Sequence, residues 1–223
     1  MTGTDKDITL NVSRSLKLIK DKVVRFTIPS VTLVSHQGDP YQVLISCILS
    51  LRTKDKTTIE ASKRLFKVAV SPKSMIKLPL ERIEQLIYPV GFYRTKANNI
   101  LDLSRRIITE FKGKVPGNIN DLLSFKGVGR KTANLVLGLG FKIPAICVDT
   151  HVHRISNRLG WIKTGTAQET ERALEKIIPR KLWIDLNTIL VTFGQNLCVP
   201  VSPFCSICNV NNVCKKVGVV KSR

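Results

Sequence analysis

The sequence predicts an all-α protein, and three observations carry that prediction. Apolar residues recur at helical spacing in one segment after another, and helix-capping residues stand ahead of those segments. No alternating run is long enough for a sheet. At 223 residues the chain has length for one large domain or two small ones.

The elements follow in order. Asp39-Pro40 reads as an N-cap with proline in the first turn, opening 40-PYQVLISCILSL-51, which is apolar almost all round. Asp55 reads as the cap of 56–69, where Ile59, Leu65 and Phe66 share one face. Ser71-Pro72 and Pro79 open two short helices, the second over 79–90. Ile100, Leu101, Leu103, Ile107 and Ile108 form the stripe of a helix over 95–113, ended near Gly113. A short helix at 119–125 leads through a glycine-bearing turn into another at 130–140. Past Asp149, Val152, Ile155 and Leu159 lie on one helical face. The segment 166-TAQE-169 is a capping box for a helix over 167–178, and a last helix covers 180–196.

Charge limits the partners. Lys and Arg number 36 against 16 Asp and Glu, a net +20, which suits a polyanion, nucleic acid ahead of an anionic membrane surface. No apolar run approaches the roughly 18 residues that span a bilayer. The N-terminal MTGTDKDITL has neither a signal-peptide core nor a transit-peptide pattern. The expected setting is intracellular and reducing, the cytoplasm or nucleoid if the source is prokaryotic. Six cysteines there read as metal ligands or buried thiols rather than disulfides.

The segment 119-INDLLSFKGVGRKTANLVLGLG-140 reads as helix, hairpin turn and helix. Gly127 and Gly129 permit positive φ and close approach of another chain. Unpaired amides at the start of the second helix, with its dipole, suit a phosphate, and Lys126 and Arg130 add mobile charge beside it. Such a unit grips a DNA backbone without reading sequence; an ordinary helical corner is the other reading. Lys131 follows in the first turn. A lysine beside arginine commonly contacts phosphate, and a nucleophilic one must first lose its proton. Both readings stand on this segment.

Asp149 in 146-ICVDTHVHRISNRLGW-161 suits an N-cap, and a capping carboxylate at a cavity rim also takes protons or stabilises positive charge. His151 and His153 lack a metal partner at ligand spacing and read as structural. Cys198, Cys205, Cys208 and Cys214 give C-x6-C-x2-C-x5-C, which is not two separated C-x-x-C zinc knuckles. Four thiolates this crowded suit a [4Fe–4S] cluster. Cys47 and Cys147 lie in apolar segments as buried thiols.

Together GVGRKTAN, VDTHVHR and the four-cysteine spacing, in that order, resemble the endonuclease III family of base-excision DNA glycosylases, within the helix-hairpin-helix superfamily. The match runs from about Asp39 to Cys214. It implies two helical domains flanking a DNA-binding cleft, a six-helix block over 30–143 and a second domain from 1–29 with 144–223 carrying the cluster loop. It implies that Lys131 is the nucleophile and Asp149 the acidic residue. A damaged base is flipped out, the Lys131 amine attacks C1′ of the deoxyribose as the base leaves, and β-elimination of the imine cuts 3′ to the lesion. Oxidised or ring-damaged pyrimidines in double-stranded DNA, and abasic sites, are the implied substrates of a monomer. The cluster is implied to order a DNA-facing loop without taking part in base removal.

The chain departs from the family pattern in places. Arg52 in 49-LSLRTKD-55 stands where many members have the glutamine that fills the space of the flipped base. Phe92 in 90-VGFYRTKA-97 stands at the apolar wedge, or packs in the core. The loop between Cys198 and Cys205 has no basic residue, and Lys215, Lys216, Lys221 and Arg223 either replace that charge or hang in solvent. Two other functions fit the sequence: a glycosylase for thymine or uracil opposite guanine, and a non-catalytic helix-hairpin-helix DNA binder.

Overall fold

The computed structural model describes residues 3–34 and 38–223, with side chains from Leu10 onward, so Met1 and Thr2 of the N-terminal reading lie outside it. Helices make up all the regular structure among the described residues, as the apolar spacing predicts. The chain divides into two compact units, Met1–Ile28 with Ile146–Arg223, and Pro29–Ala145.

The Pro29–Ala145 unit holds α2 (Ser30–Val34), α3 (Pro40–Ser50), α4 (Asp55–Val68), α5 (Pro72–Met75), α6 (Leu80–Ile87), α7 (Tyr93–Phe111), α8 (Ile119–Leu123) and α9 (Arg130–Leu135). Helix α3 is its centre because it is apolar all round: Tyr41 and Val43 through Leu49 are all buried. Its start is held by Asp39, whose Oδ1 accepts from the Gln42 amide at 2.9 Å. Helix α4 begins one residue earlier than expected. Lys54 occupies the cap position and Asp55 is the first helical residue, its carboxylate accepting the Ser30 hydroxyl at 2.6 Å instead. Helix α6 ends at Ile87, short of the expected Val90. Past Leu135, α9 widens into a π-helical turn over Val136–Gly140. There a Cβ on Gly140 would lie 2.8 Å from Pro40 Cα, so only glycine lets this turn meet the start of α3.

The second unit is built on α1 (Gly3–Val23), α10 (Thr150–Leu159), α11 (Ala167–Ile177), a 3₁₀ turn at Arg180–Leu182 and α12 (Trp183–Asn196). Helix α1 is absent from the sequence-based assignment, as is α2. In α1 the stripe Val12, Leu16, Ile19 and Val23 is thin and set among charges. It joins the buried cluster that also holds Val152, Ile155 and Leu159 of α10 and Leu186, Leu190 and Phe193 of α12. Burial of each such side chain is worth about 1.5–3 kcal/mol, which favours the helix where local propensity does not. The capping box at α11 is altered: Thr166 Oγ1 takes the Glu169 amide at 3.2 Å, but Glu169 reaches back to Gly165 N at 2.8 Å. Among the described residues no helix is long and apolar enough to cross a membrane.

Candidate functional site

Helices α8 and α9 flank the turn 124–129, as the sequence predicts. Phe125 and Val128 are buried and pin the turn, while Lys126, Gly127, Gly129, Arg130 and Lys131 are exposed. The two glycines differ. Gly127 has φ +83° and its missing Cβ would lie 3.1 Å from Asn99 Nδ2 on α7, so it serves the turn and a close approach at once. Gly129 is extended at φ −96° and makes no use of the positive φ open to it, and a Cβ there would meet nothing. It caps α9 without a side chain, which leaves the outer face of the first amides uncovered. The same turn presents Lys131. Beneath it, burial pushes the Cys47 thiol of α3 up to about 12, and the Lys131 ammonium draws it part-way back.

Arg52 and Phe92 are brought together in this unit. The Arg52 guanidinium carbon lies 5.7 Å from the centroid of the Phe92 ring. Both residues are left-handed, at φ 51° and 59°, a conformation costing a non-glycine residue about 1–3 kcal/mol. Phe92 is 63% exposed, so the core-packing reading is overturned: the left-handed backbone before α7 turns the ring outward.

In the other unit Asp149 caps α10. Its Oδ1 accepts from both the His151 and Val152 amides at 2.9 Å, and the cap makes no use of Oδ2. His153 bonds Thr170 Oγ1 at 2.7 Å and His151 Nδ1 lies 3.2 Å from Arg154 Nη2, both structural contacts. Helix α10 also holds the cysteine loop. Arg154 Nη2 donates to Cys198 O at 2.8 Å, while Arg158 donates to Val199 O at 2.7 Å, to Pro200 O at 2.6 Å and to Cys198 Sγ at 3.6 Å. These two arginines were missed in the sequence. Their signal was a cation four residues from another on the helix that Asp149 opens.

Cys198, Cys205, Cys208 and Cys214 line one pocket, walled by Phe193 and Val210. Burial raises the Cys208 and Cys214 thiols, and the neighbouring cysteines add to the rise in both. Among the described residues no three His, Cys, Asp or Glu side chains converge on a single ion. Four cysteines lining one apolar pocket within a single loop are a donor set that fits an all-cysteine iron–sulfur cluster. Cys47 and Cys147 are buried, as expected.

The basic tail is not loose. Arg223 N donates to Pro203 O at 2.8 Å, Ser206 N to Arg223 O at 2.9 Å, and Arg223 Nε to Ser202 O at 3.0 Å. Its guanidinium stacks 4.0 Å from the centroid of Phe204. Arg223 therefore brings a cation to the loop whose own sequence has none.

The model of the HhH-GPD superfamily base excision DNA repair protein matches residues 45–180. Endonuclease III of Thermotoga maritima is 50% identical over 179 residues, 80% of this chain and 84% of that protein. The chain belongs to the endonuclease III family. It is a DNA glycosylase and apurinic/apyrimidinic lyase of base excision repair. Some relatives are longer: the chain matches "Endonuclease III homolog 2, chloroplastic" of Arabidopsis thaliana at 40% identity, over 78% of this chain but 47% of that protein. The fold also superposes on a trapped covalent intermediate of an endonuclease III with DNA, at TM-score 0.81 and 34% identity over 93% of this chain and 96% of that one. A thermostable thymine-DNA glycosylase superposes at TM-score 0.82 and 27% identity, over 96% of this chain and 97% of that one.

Proposed function

We propose that this endonuclease III relative removes oxidised or ring-damaged pyrimidines from duplex DNA through a covalent imine on Lys131. The observation that carries this reading is Lys131 itself, exposed in the first turn of α9 directly beside a helix-hairpin-helix turn fit for phosphate. Lys126, Gly127, Gly129 and Arg130 hold the backbone of the strand. With the damaged nucleotide extruded, the Lys131 nitrogen bonds to C1′ as the glycosidic bond breaks and the base leaves with the electron pair. The sugar ring opens to the imine. Loss of a C2′ proton then expels the 3′ phosphate, and water releases the cut strand from the lysine. Asp149 takes the carboxylate role, accepting the lysine proton and stabilising the cationic sugar. Oδ1 is committed to the cap, so Oδ2 is the oxygen assigned to that work.

Cys198, Cys205, Cys208 and Cys214 would hold a [4Fe–4S] cluster, supplying crosslinks that order the 198–214 loop rather than a step of base removal. Arg52 and Phe92 fill the space left by the flipped base, one offering donors to the orphaned partner and the other a stacking face.

Borohydride trapping tests the assignment. The wild type should form a covalent adduct with lesion duplex and Lys131→Gln should form none; an undiminished adduct from the variant rejects the mechanism. A second reading, removal of thymine or uracil opposite guanine, is favoured by Arg52 at the gap-filling position and by the thymine-DNA glycosylase superposition. A T·G duplex set beside a thymine-glycol duplex decides between them, since cleavage of the glycol duplex alone eliminates the mismatch reading.

A further inference from the structure

Lys96 has only 6% of its surface exposed and, among the described residues, no acidic partner at its ammonium. It lies on α7 at the stripe position four residues before Ile100, where an apolar side chain belongs. Its Nζ donates to Leu49 O at 3.0 Å, to Leu51 O, and to Thr53 Oγ1 at 3.2 Å, so all three ammonium protons are used. Those acceptors are the end of α3 and the 51–54 loop, the segment that carries Arg52. The same residue's backbone amide donates to Phe92 O at 3.0 Å. The two loops are joined again at Thr53, whose Oγ1 accepts the Gly91 amide at 3.2 Å. Here a Cβ on Gly91 would sit 2.7 Å from Arg52 O, which shows how close the two backbones run.

We propose that Lys96 is a positioning residue that locks Arg52 and Phe92 into one rigid unit for insertion into the duplex beside the extruded nucleotide. This rests on the gap-filling reading of Arg52 and Phe92 above. Two left-handed residues on separate loops hold their geometry only if their surroundings over-determine it. Lys96 supplies this through its side chain, which ties the 51–54 loop to the helix that Phe92 opens. Burial lowers its ammonium to about 8, the effect of holding it away from water among neutral oxygens. A pre-formed plug enters the base stack without first ordering two loops, so the energy of binding goes to extrusion.

The test uses the full chain and three measurements. Duplex with 2-aminopurine opposite a tetrahydrofuran abasic analogue reports insertion by a fluorescence change on binding. Anisotropy gives the affinity for the same duplex. Cleavage of an abasic site in an unpaired bubble gives lyase chemistry that needs no insertion. Lys96→Met and Thr53→Val are compared with Arg52→Ala and Phe92→Ala. Expected for Lys96→Met is loss of most of the fluorescence change and a fall of about 10-fold or more in base release from paired duplex. Bubble cleavage should stay within about threefold of wild type. Thr53→Val, which keeps the shape and removes the bridging hydroxyl, should show a smaller loss in the same direction, and it decides the matter if Lys96→Met does not fold. If both variants keep the wild-type change while Arg52→Ala and Phe92→Ala lose it, the link to Lys96 is overturned and the gap-filling reading survives. If Arg52→Ala and Phe92→Ala themselves keep it, the reading fails and the proposal with it. Equal loss of bubble cleavage also overturns the proposal, because Lys96 is then a general structural support.

Discussion

Gly194→Ala puts two physical effects in direct opposition. Gly194 lies inside α12, where alanine is normally favoured over glycine by about 1 kcal/mol. Helix propensity alone therefore predicts a more stable protein. The structure predicts the reverse, because a Cβ at Gly194 would stand 2.4 Å from His151 Nδ1, 2.9 Å from Ile155 Cδ1 and 3.0 Å from Arg154 Nη2. Overpacking of this kind destabilises by about 1–3 kcal/mol. Moving Arg154 aside also weakens its bonds to Gly194 O at 3.2 Å and Cys198 O at 2.8 Å, and a bond to a charged group is worth about 1.5–3 kcal/mol. Taking about 2 for the overlap and about 1.5 for one lost bond, less about 1 for propensity, leaves a net loss of roughly 2.5 kcal/mol. At about 2–4 °C per kcal/mol for a chain of this size, the midpoint should fall by about 5–10 °C. Thermal unfolding by circular dichroism reads this directly. Because His151 and Arg154 lie in the first turns of α10, base release should fall with it. An unchanged or raised midpoint refutes the reasoning and shows that α10 and α12 separate without penalty.

Asp149→Asn should keep the helix and lose the enzyme, since the amide oxygen accepts the same two backbone bonds but takes no proton. Its midpoint should match wild type while Asp149→Ala loses about 1 kcal/mol of capping, and equal activity in Asp149→Asn would remove the carboxylate from the chemistry. Arg158→Met forfeits both loop carbonyls and the contact to Cys198 Sγ, so iron content per chain should drop and bleaching in air should quicken; wild-type values for both would show the loop holds itself. Gly127→Ala, at φ +83° and 3.1 Å from Asn99 Nδ2, should lose about 1–2 kcal/mol of stability along with DNA affinity, whereas Gly129→Ala should lose affinity alone. Lys96 adds a pH signature. Its folded value of about 8 lies below the unfolded lysine value of about 10.4, so between these the unfolded chain binds more protons and folding gains with rising pH. Urea midpoints of wild type less those of Lys96→Met should rise across that window, and a flat difference would place Lys96 in solvent.

Much of this protein follows from local sequence because its signals are local. A cap such as Asp39 or Asp149 acts within three residues, the glycine turn at 127 is set by its own backbone, and the cysteine spacing confines four thiols to one loop. The proposed nucleophile and the four-thiol loop were legible for that reason. What lies beyond local range was not. Helix α1 has too thin a stripe to announce itself and is stabilised by partners more than 120 residues away, such as Val152 and Phe193. Asp55 left its expected cap for Ser30, a residue 25 positions distant.

The sequence by itself determined the chemistry available: an all-helical chain, a strongly basic composition, a lysine beside a glycine turn suited to phosphate, a carboxylate at a helix start and four clustered thiols. Only the tertiary structure decided how that chemistry is held. Lys96 was simply a charge in the run of α7 until Leu49, Leu51 and Thr53 were placed around it. Arg158 and Arg154 were surface cations until the cysteine loop folded over them, and Arg223 was a loose tail until it stacked on Phe204. The physical reason is common to all of them. A cap or a turn is satisfied by its own neighbours in the chain, whereas a buried cation must find its acceptors wherever packing has brought them.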